Sequence, residues 1–231
     1  MTMLKPKKKI SKKELKQDTL VTTYMQVTGF YAKYKKQISI GITAVVVIVA
    51  ATFILLSNRA KNNELATTKL AAIHPFCDNG QYQMAIDGAA DRNLVGLKQI
   101  VDDYGSTPAG DMARFYLADS YFQLGKYTEA LEAFKDCSPS NPLLKASRYA
   151  GIAACYEATG NHKDAADNFE SAAGKDATDD AISEHLNDAA RNYALAGDKS
   201  RALDLLKRIK KNYPTTTAGR EADRYITELS V

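Results

Sequence analysis

A pattern that recurs every 35 to 37 residues limits the fold of this 231-residue chain more than any other feature. Three copies read LADSYFQLGKYTEALEAF, IAACYEATGNHKDAADNF and AARNYALAGDKSRALDLL, and they begin at Leu117, Ile152 and Ala189. Each copy places a small residue, a Tyr, a Gly, an Ala and a bulky apolar residue at the same steps. These positions are Ala118, Tyr121, Gly125, Ala130 and Phe134, then Ala153, Tyr156, Gly160, Ala165 and Phe169, then Ala190, Tyr193, Gly197, Ala202 and Leu206. Such self-similarity is typical of stacked structural repeats.

The order of residues within each copy resembles the tetratricopeptide repeat (TPR), a pair of helices with a period near 34 residues. The small residues allow the two helices of a pair to approach closely. The Gly is expected to end the first helix in a left-handed conformation, which only Gly adopts at low cost. Pro142 and Pro214 are expected to mark where the second helix of a pair must stop, because Pro cannot continue a helix.

Weaker signals extend the array at both ends. HPFCDNGQYQMAIDGA resembles a first copy with Gly80, Tyr82, Ala85 and Ile86 in the expected order. Ala85 lies 45 residues before Ala130, so this unit carries an insertion. We expect a break at 88–93 and then a helix whose apolar face holds Leu94, Leu97, Ile100, Val101 and Tyr104. A last helix over 218–229 would cover the exposed end of the array with Ala222, Tyr225, Ile226 and Leu229.

A second feature concerns the membrane. Ile38 to Ser57 is a run of 20 residues without a charge, long enough at about 1.5 Å per residue to span a bilayer. A cleaved signal peptide fits poorly, since 37 residues precede this run and no small-x-small site follows it. Residues 1–57 carry 10 Lys and two acidic residues, whereas residues 58–231 have a net charge of −4. Because positive flanks stay in the cytoplasm, residues 58–231 are predicted to lie on the other side.

The sequence therefore predicts an all-α fold: a TPR helix-turn-helix solenoid of about four helical pairs plus a capping helix, behind a single N-terminal transmembrane helix. The predicted parts are a basic cytoplasmic tail (1–18), an amphipathic interfacial helix (19–37), the transmembrane helix (38–57) and the TPR domain (58–231). Aromatic and basic side chains just before the transmembrane helix suit the headgroup layer. They are Tyr24, Phe30, Tyr31, Lys33, Tyr34, Lys35 and Lys36. The Lys-rich tail suits contact with anionic lipid better than nucleic acid.

Two segments resemble each other outside this register. YGSTPAGDMARFY (104–116) and YPTTTAGREADRY (213–225) share Tyr, Thr, Ala-Gly, Ala and Tyr at equal offsets, 109 residues apart. A phosphate-binding loop is disfavoured, because the Lys-Ser/Thr ending and a preceding strand are both lacking. We expect a structural joint in which Tyr ends one helix and Ser or Thr caps the next.

Catalysis and cofactors find no support in the sequence. No Ser-His-Asp or Cys-His arrangement has positional support, so the chain is predicted not to be an enzyme and to hold no metal or other cofactor. His74 and Cys77 are too few for a metal site, and His162 and His185 are expected to be solvated. Cys137 and Cys155 lie on successive helices and could form a disulfide, although two buried thiols are the favoured interpretation. Cys77 is likewise expected to be a small buried residue.

Protein binding is the remaining class of function, and in this architecture it uses the concave face formed by the first helices of the repeats. Met and Phe beside small residues would form an adaptable apolar groove for an extended peptide or a partner helix. The alternative is that the inserted helix covers Phe115 and Phe122. The predicted groove residues are Met112, Phe115, Asp119, Phe122, Ser147, Ala150, Ala154, Glu157, Glu184, Asn187, Arg191 and Ala194.

A basic leader, one transmembrane helix and a short TPR domain together resemble the YfgM-like family in its Bacteroidetes/Chlorobi form, over roughly residues 15–231. LVGLKQIVDDYGSTPAGDMARFYLADSYFQLGKYTEAL is the best-matching stretch. The resemblance implies an ancillary subunit of the Sec translocon in the bacterial inner membrane, with a periplasmic C-terminal domain. It implies partners among the translocon, periplasmic chaperones, a peptidyl-prolyl isomerase and unfolded secretory chains. The longer, Lys-rich leader departs from the family pattern and leaves the identity of the partner open.

Two hypotheses follow from these features. The first is an adaptor or chaperone for secreted proteins at the translocon. The alternative is a structural or accessory subunit of another envelope complex, which would be contacted through the transmembrane and interfacial helix.

Overall fold

The computed structural model describes residues 12–174 and 178–230. Its elements are α1 (Lys12–Asp78), α2 (Tyr82–Asp87), β1 (Gly88–Ala89), β2 (Leu94–Val95), α3 (Leu97–Tyr104), α4 (Pro108–Gln123), α5 (Tyr127–Asp136), α6 (Pro142–Ala158), α7 (His162–Ala172), α8 (Asp179–Leu195), α9 (Lys199–Asn212) and α10 (Thr217–Ser230). The chain divides into two compact units, Met1–Ser57 and Asn58–Val231. Helix α1 contributes residues to both.

In the first unit, α1 exposes its large apolar side chains. Val45, Val49 and Phe53 are each at least 60% exposed. Among the described residues, one helix is long and apolar enough to cross a membrane, within Thr19–Asp78 and with a mean hydropathy of 2.7 in its most apolar window. None of that window is buried, which separates it from the core helix of a soluble protein. Length and composition make it a candidate for a single membrane span.

The second unit consists of helices that pack against their neighbours in sequence, as α4 does with α5, α5 with α6 and α6 with α7. The end of α1 and α2 form the first pair, and three regular pairs and α10 follow. This arrangement confirms the predicted solenoid of about four helical pairs and a capping helix. The small and bulky repeat residues are all buried at or between the crossings: Ala118, Ala130, Phe134, Ala153, Ala165, Phe169, Ala190, Ala202 and Leu206.

The turn between the two helices of each pair has the same structure in all four cases. Gly80, Gly125, Gly160 and Gly197 have φ between 71° and 87°. The residue after each Gly donates its backbone N–H to the carbonyl five positions earlier, as Lys126 N does to Tyr121 O at 2.9 Å. This is the Schellman arrangement, which requires a left-handed residue and satisfies carbonyl groups at the helix end. The predicted role of these glycines is therefore confirmed.

One of the two predictions about Pro at helix ends was wrong. Pro142 does not stop the second helix of a pair, since α5 already ends at Asp136 and Pro142 is the first residue of α6. Asn141 precedes it as the N-cap and its Oδ1 accepts from Leu143 N at 2.8 Å. Pro suits this position because the first N–H of a helix has no partner within the helix. Pro214, by contrast, does follow the end of α9, as predicted.

The insertion also differs from the prediction. Leu94 was expected to begin a helix, but it pairs with Ala89 in an antiparallel hairpin of two-residue strands. Asn93 supplies the left-handed residue of this hairpin, with a φ of 52°. The helix therefore begins only at Leu97, and its buried residues are Leu97 and Ile100.

The two similar segments form the same joint. Thr107 Oγ1 accepts from Gly110 N at 3.1 Å and donates to Tyr104 O at 2.8 Å. Thr216 Oγ1 makes the equivalent bonds with Gly219 N and Tyr213 O, also at 3.1 and 2.8 Å. In both copies, Thr fixes the start of the next helix to the end of the previous one. The interpretation as a joint with a Thr cap is confirmed.

Candidate functional site

A cavity of about 420 Å³ lies on the side of the solenoid formed by α4, α6 and α8, with contributions from α5 and α7. Six of the predicted groove residues line it together: Phe115, Asp119, Phe122, Ser147, Ala150 and Ala154. Six residues that the sequence argument had not assigned to the groove also line it: Gln123, Phe134, Gly151, Phe169, His185 and Asp188. All twelve belong to α4, α5, α6, α7 and α8, and none belongs to the inserted helix α3.

The walls of this cavity are aromatic. The rings of Phe115 and Phe134 meet edge to face with centroids 5.5 Å apart, and Phe122 lies 5.3 Å from the ring of Tyr127. Phe115 and Phe122 are half-buried, whereas Phe134 is buried. Apolar rings that remain partly accessible in a concave surface are the usual contacts for an apolar side chain of a ligand.

The floor of the cavity is made of small residues, and Gly151 has a specific role in it. A Cβ at position 151 would lie 2.5 Å from the ring of Phe134, so only Gly allows this ring to pack against α6. The position was missed because the repeat pattern places no constraint on it. Its signal in the sequence is a Gly within an otherwise good helical stretch, where Gly normally costs stability.

Two carboxylates and one imidazole supply the ionisable groups of the cavity. Burial raises the pKa of Asp119, whose carboxylate accepts a hydrogen bond only from Gln123 Nε2, at 3.5 Å, among the described residues. Asp188 instead has a cationic partner, Arg191, at 3.0 Å. Burial lowers the pKa of His185, which favours the neutral imidazole at neutral pH. The cavity is thus apolar, with one half-buried carboxylate that has no cationic partner in the part of the chain that the structure describes.

Beside the cavity, a polar network joins α6 to α8. Arg191 forms an ion pair with Glu157, and Asn192 Nδ2 donates to the same carboxylate at 3.2 Å. Burial opposes ionisation of Glu157, but the hydrogen bonds from Arg191 and Asn192 lower its pKa. Asn192 is fully buried, and its Oδ1 lies 3.0 Å from His162 Nδ1. The prediction that His162 and His185 are solvated was therefore wrong, because His162 is half-buried against Asn192 and His185 is half-buried in the lining of the cavity.

The remaining predicted groove residues lie elsewhere. Asn187, Arg191 and Ala194 line a second cavity of about 480 Å³ beside α10. Met112 lines a third, of about 550 Å³, at the joint between α3 and α4. Glu157 belongs to the polar network, and Glu184 is exposed on α8. The predicted face is therefore divided among three separate depressions.

The predicted membrane-facing residues all lie on α1, within the first unit. Tyr24, Phe30 and Tyr31 are exposed. The rings of Phe30 and Tyr34 are 4.7 Å apart, and Lys33 Nζ lies 5.2 Å from the Tyr34 ring centre. Lys35 and Lys36 follow on the same helix and are exposed. Aromatic and basic side chains thus lie close together along this stretch, and their contact with the membrane stays a prediction.

The thiols of Cys77, Cys137 and Cys155 are free and buried. Burial raises the pKa of Cys137 to about 12 and that of Cys155 to about 11, so neither is a reactive thiolate at neutral pH.

His74 Nδ1 lies 3.1 Å from Asp78 Oδ2, and its ring meets that of Tyr116 edge to face. Among the described residues, no group of three or more His, Cys, Asp or Glu side chains could hold a metal ion.

Comparison with known proteins identifies the same repeats. Residues 78–172 match the family model described as "Anaphase-promoting complex, cyclosome, subunit 3", and residues 188–216 match the model described as "Tetratricopeptide repeat". Neither description names a catalytic activity. No curated protein matches the chain.

Among solved structures, the chain is similar to a protein of Podosopora anserina described as a kinesin light chain with nearly identical TPR-like repeats, and to a single-residue variant of it. Each shares 19% sequence identity, covers 75% of this chain and 85% of its own length, and has a TM-score of 0.52. At this identity the likeness shows the fold. The chain carries TPR-type repeats, and repeats of this type form protein–protein interaction modules.

Proposed function

We propose that this protein is a membrane-anchored adaptor or chaperone that binds polypeptide segments in the cavity between α4 and α8. The single observation that carries the proposal is the pair of half-buried rings, Phe115 and Phe122, facing a concave surface floored by Ala150, Gly151 and Ala154. Aromatic walls over small residues bind apolar side chains of varied shape, which suits a receptor for extended or unfolded segments.

The exposed apolar stretch of α1 supports the anchor, and the Lys residues before it support a cytoplasmic N-terminus. Residues 58–231 would then lie in the periplasm of a bacterium, where newly translocated chains emerge unfolded. This location, and the resemblance to the YfgM-like family, point to a role at the Sec translocon beside periplasmic chaperones and a peptidyl-prolyl isomerase.

A photocrosslinking side chain placed at Phe122 in the full-length protein tests the proposal in cells. We expect adducts with many different secretory chains. A matched probe at Lys207, which is exposed on α9 away from the cavity, should give few. Equal adducts from both positions would contradict binding in the cavity.

The alternative, a structural subunit of another envelope complex, is favoured by the apolar side chains of α1, which remain exposed from Ile40 to Leu56. Probes at Tyr31 and Val46 would then give one dominant adduct with a single membrane protein. Such an adduct, combined with none from Phe122, would replace the adaptor by this second function.

The proposed topology can be tested separately. A thiol reagent that cannot cross the membrane should label a Cys placed at Asn62 and should not label one placed at Lys12. Because the native thiols are buried, the unsubstituted protein is the background control. Labelling of the Lys12 position alone would reverse the topology.

A further inference from the structure

The cavity between α4 and α8 contains an ionisable group whose environment is unusual. Asp119 lies on α4, among the rings of Phe115 and Phe122. Its side chain is half-buried, and its hydrogen bond to Gln123 Nε2 is long, at 3.5 Å. No Lys or Arg side chain among the described residues forms an ion pair with it.

Other acidic groups on the same face do have cationic partners. Glu157 and Asp188 both bind Arg191, and Glu170, farther along, binds Arg201 at 2.7 Å. These three partly buried carboxylates each have an Arg partner, whereas Asp119 has no such partner among the described residues. Burial of a carboxylate without a cation opposes its ionisation, and the pKa of Asp119 is raised accordingly.

The surroundings of Asp119 leave room for a cation from outside. The described residues that line the cavity include two carboxylates, those of Asp119 and Asp188, and no Lys or Arg. His185, the remaining ionisable group, favours its neutral form because of burial. A bound cation would therefore meet an attractive field and no fixed positive charge within the cavity.

We propose that the cavity selects polypeptide segments in which a lysine or arginine lies next to large apolar side chains, with Asp119 as the acceptor of the basic group. The apolar side chains of the ligand would contact Phe115 and Phe122, and the cation would complete the ion pair that the protein itself lacks. This inference rests on the proposed function, since it names the class of segment that the same cavity binds.

The stem of a lysine or arginine fits this combination of surfaces. Both side chains carry three or four methylene groups that pack on aromatic rings, and a cation at the tip that can reach a carboxylate. The faces of Phe rings also attract a nearby cation. An acidic segment would place a carboxylate beside Asp119 and would be repelled.

Binding of three matched peptides to the full-length protein in lipid nanodiscs tests this inference. The peptides share one apolar sequence of Leu, Phe and Ser and differ at one central position, which is Lys, Gln or Glu. Fluorescence anisotropy should give a Kd for the Lys peptide about tenfold lower than for the Gln peptide, as expected for a charge-assisted hydrogen bond at a partly buried site. The Glu peptide should bind most weakly.

The variant Asp119→Asn should reduce the preference for Lys over Gln to less than about twofold. Asp103→Asn, at an exposed position on α3, is the matched control and should keep the full preference. The midpoint of thermal unfolding of each variant is measured as a control, since an unchanged midpoint shows that the variant is folded. Because the ionised carboxylate opposes folding at this site, Asn should not lower that midpoint at neutral pH.

The outcomes separate the two proposals. If none of the peptides binds, polypeptide binding in the cavity is wrong and the inference fails with it. If all three bind with equal Kd, or if Asp119→Asn keeps the preference, the cavity binds polypeptide but the choice of a basic segment is wrong. A protein that is dimeric in nanodiscs, and that becomes monomeric on substitution of Phe122 by Ser without a change in Kd, would assign the cavity to a second copy and overturn the inference.

Discussion

The joints at 104–110 and 213–219 have nearly the same local structure, but they lie at opposite ends of the regular array. In each, a Thr hydroxyl bridges a Tyr carbonyl and a Gly N–H, with equal distances in the two copies. A Cβ on either Gly110 or Gly219 would lie 1.9 Å from the carbonyl oxygen of the preceding Tyr. Both joints therefore need Gly at the same point and for the same reason.

The helices that follow the two joints differ. Helix α4 buries residues on both sides: Ala113 and Leu117 belong to the core of the first repeat, and Ala118 belongs to the core of the second. Helix α10 buries Ala218 and Ala222 against α8 and α9 and exposes charged residues on its outer side. The joint thus fixes the start of the next helix against the end of the previous one. The residues of that next helix decide whether another repeat can pack on the helix.

The largest effects should come from adding a Cβ at the glycines of the joints. Gly110→Ala should lower the free energy of unfolding by about 3 kcal/mol, and Gly219→Ala by about 2 kcal/mol, because the atom opposite is backbone and cannot rotate away. The second value is smaller because α10 packs against α8 and α9 on one side and exposes charged residues on the other, so it can shift more easily than α4. Urea unfolding of the full-length protein in detergent measures both.

Hydrogen exchange should localise these effects. Gly110→Ala should increase exchange in α3 and α4, and Gly219→Ala should increase it in α10 alone. Gly174→Ala is the control, because a Cβ there meets only an ordinary contact of 3.9 Å. Equal destabilisation by all three substitutions would show that the close approach of Gly to Tyr is not what matters.

The next effect concerns the threonines. Thr107→Ala and Thr216→Ala each remove a buried N-cap, and each should cost about 1 kcal/mol. Thr→Ser at the same positions keeps the hydroxyl and should recover most of that loss. A cost confined to position 107 would show that the cap of the terminal helix is not needed for its docking.

The joints and the regular repeats were predictable because they depend on local chemistry. A Gly at the end of a helix and a Thr before one act through bonds that span five residues or fewer, and Gly125 and Thr107 both took their predicted roles. Leu94 and Pro142 were misassigned because their local signals are ambiguous. Pro suits the start of a helix as well as the region after its end. A single apolar residue such as Leu94 can belong to a short strand or to a helix.

The candidate site was predictable only in part. The period of the repeat places Phe115, Asp119 and Ala150 on one face, and the structure brings them together. The environment of His162 could not be predicted, because its partner Asn192 is 30 residues away on another helix. The lack of a Lys or Arg beside Asp119 among the described residues could not be predicted either, because it depends on which side chains the neighbouring helices place on that face.

A smaller effect distinguishes the first joint from the second. Ala109 N donates to Asn63 Oδ1 at 2.8 Å, which connects the start of α4 to α1, and this bond is partly buried. Asn63→Ala should therefore cost about 1 kcal/mol or slightly less. Its cost should vanish when Gly110→Ala has already displaced α4, and a double-mutant cycle measures this coupling. Full additivity would show that Asn63 acts independently of the joint.

The smallest effect belongs to the second joint, where Arg220 makes local contacts on the surface. The guanidinium of Arg220 donates to Thr215 O and to Thr217 Oγ1, and its side chain lies on the surface. Exposed polar contacts contribute little, so Arg220→Ala should change the free energy of unfolding by less than about 0.5 kcal/mol. If Arg220→Ala lowers the free energy of unfolding as much as Asn63→Ala does, the terminal joint is held as firmly as the internal one. The difference between the two ends must then lie entirely in the helices that follow. A cost near zero, with α10 exchanging faster than α4 in the unsubstituted protein, would instead mean that the terminal joint is the weaker of the two.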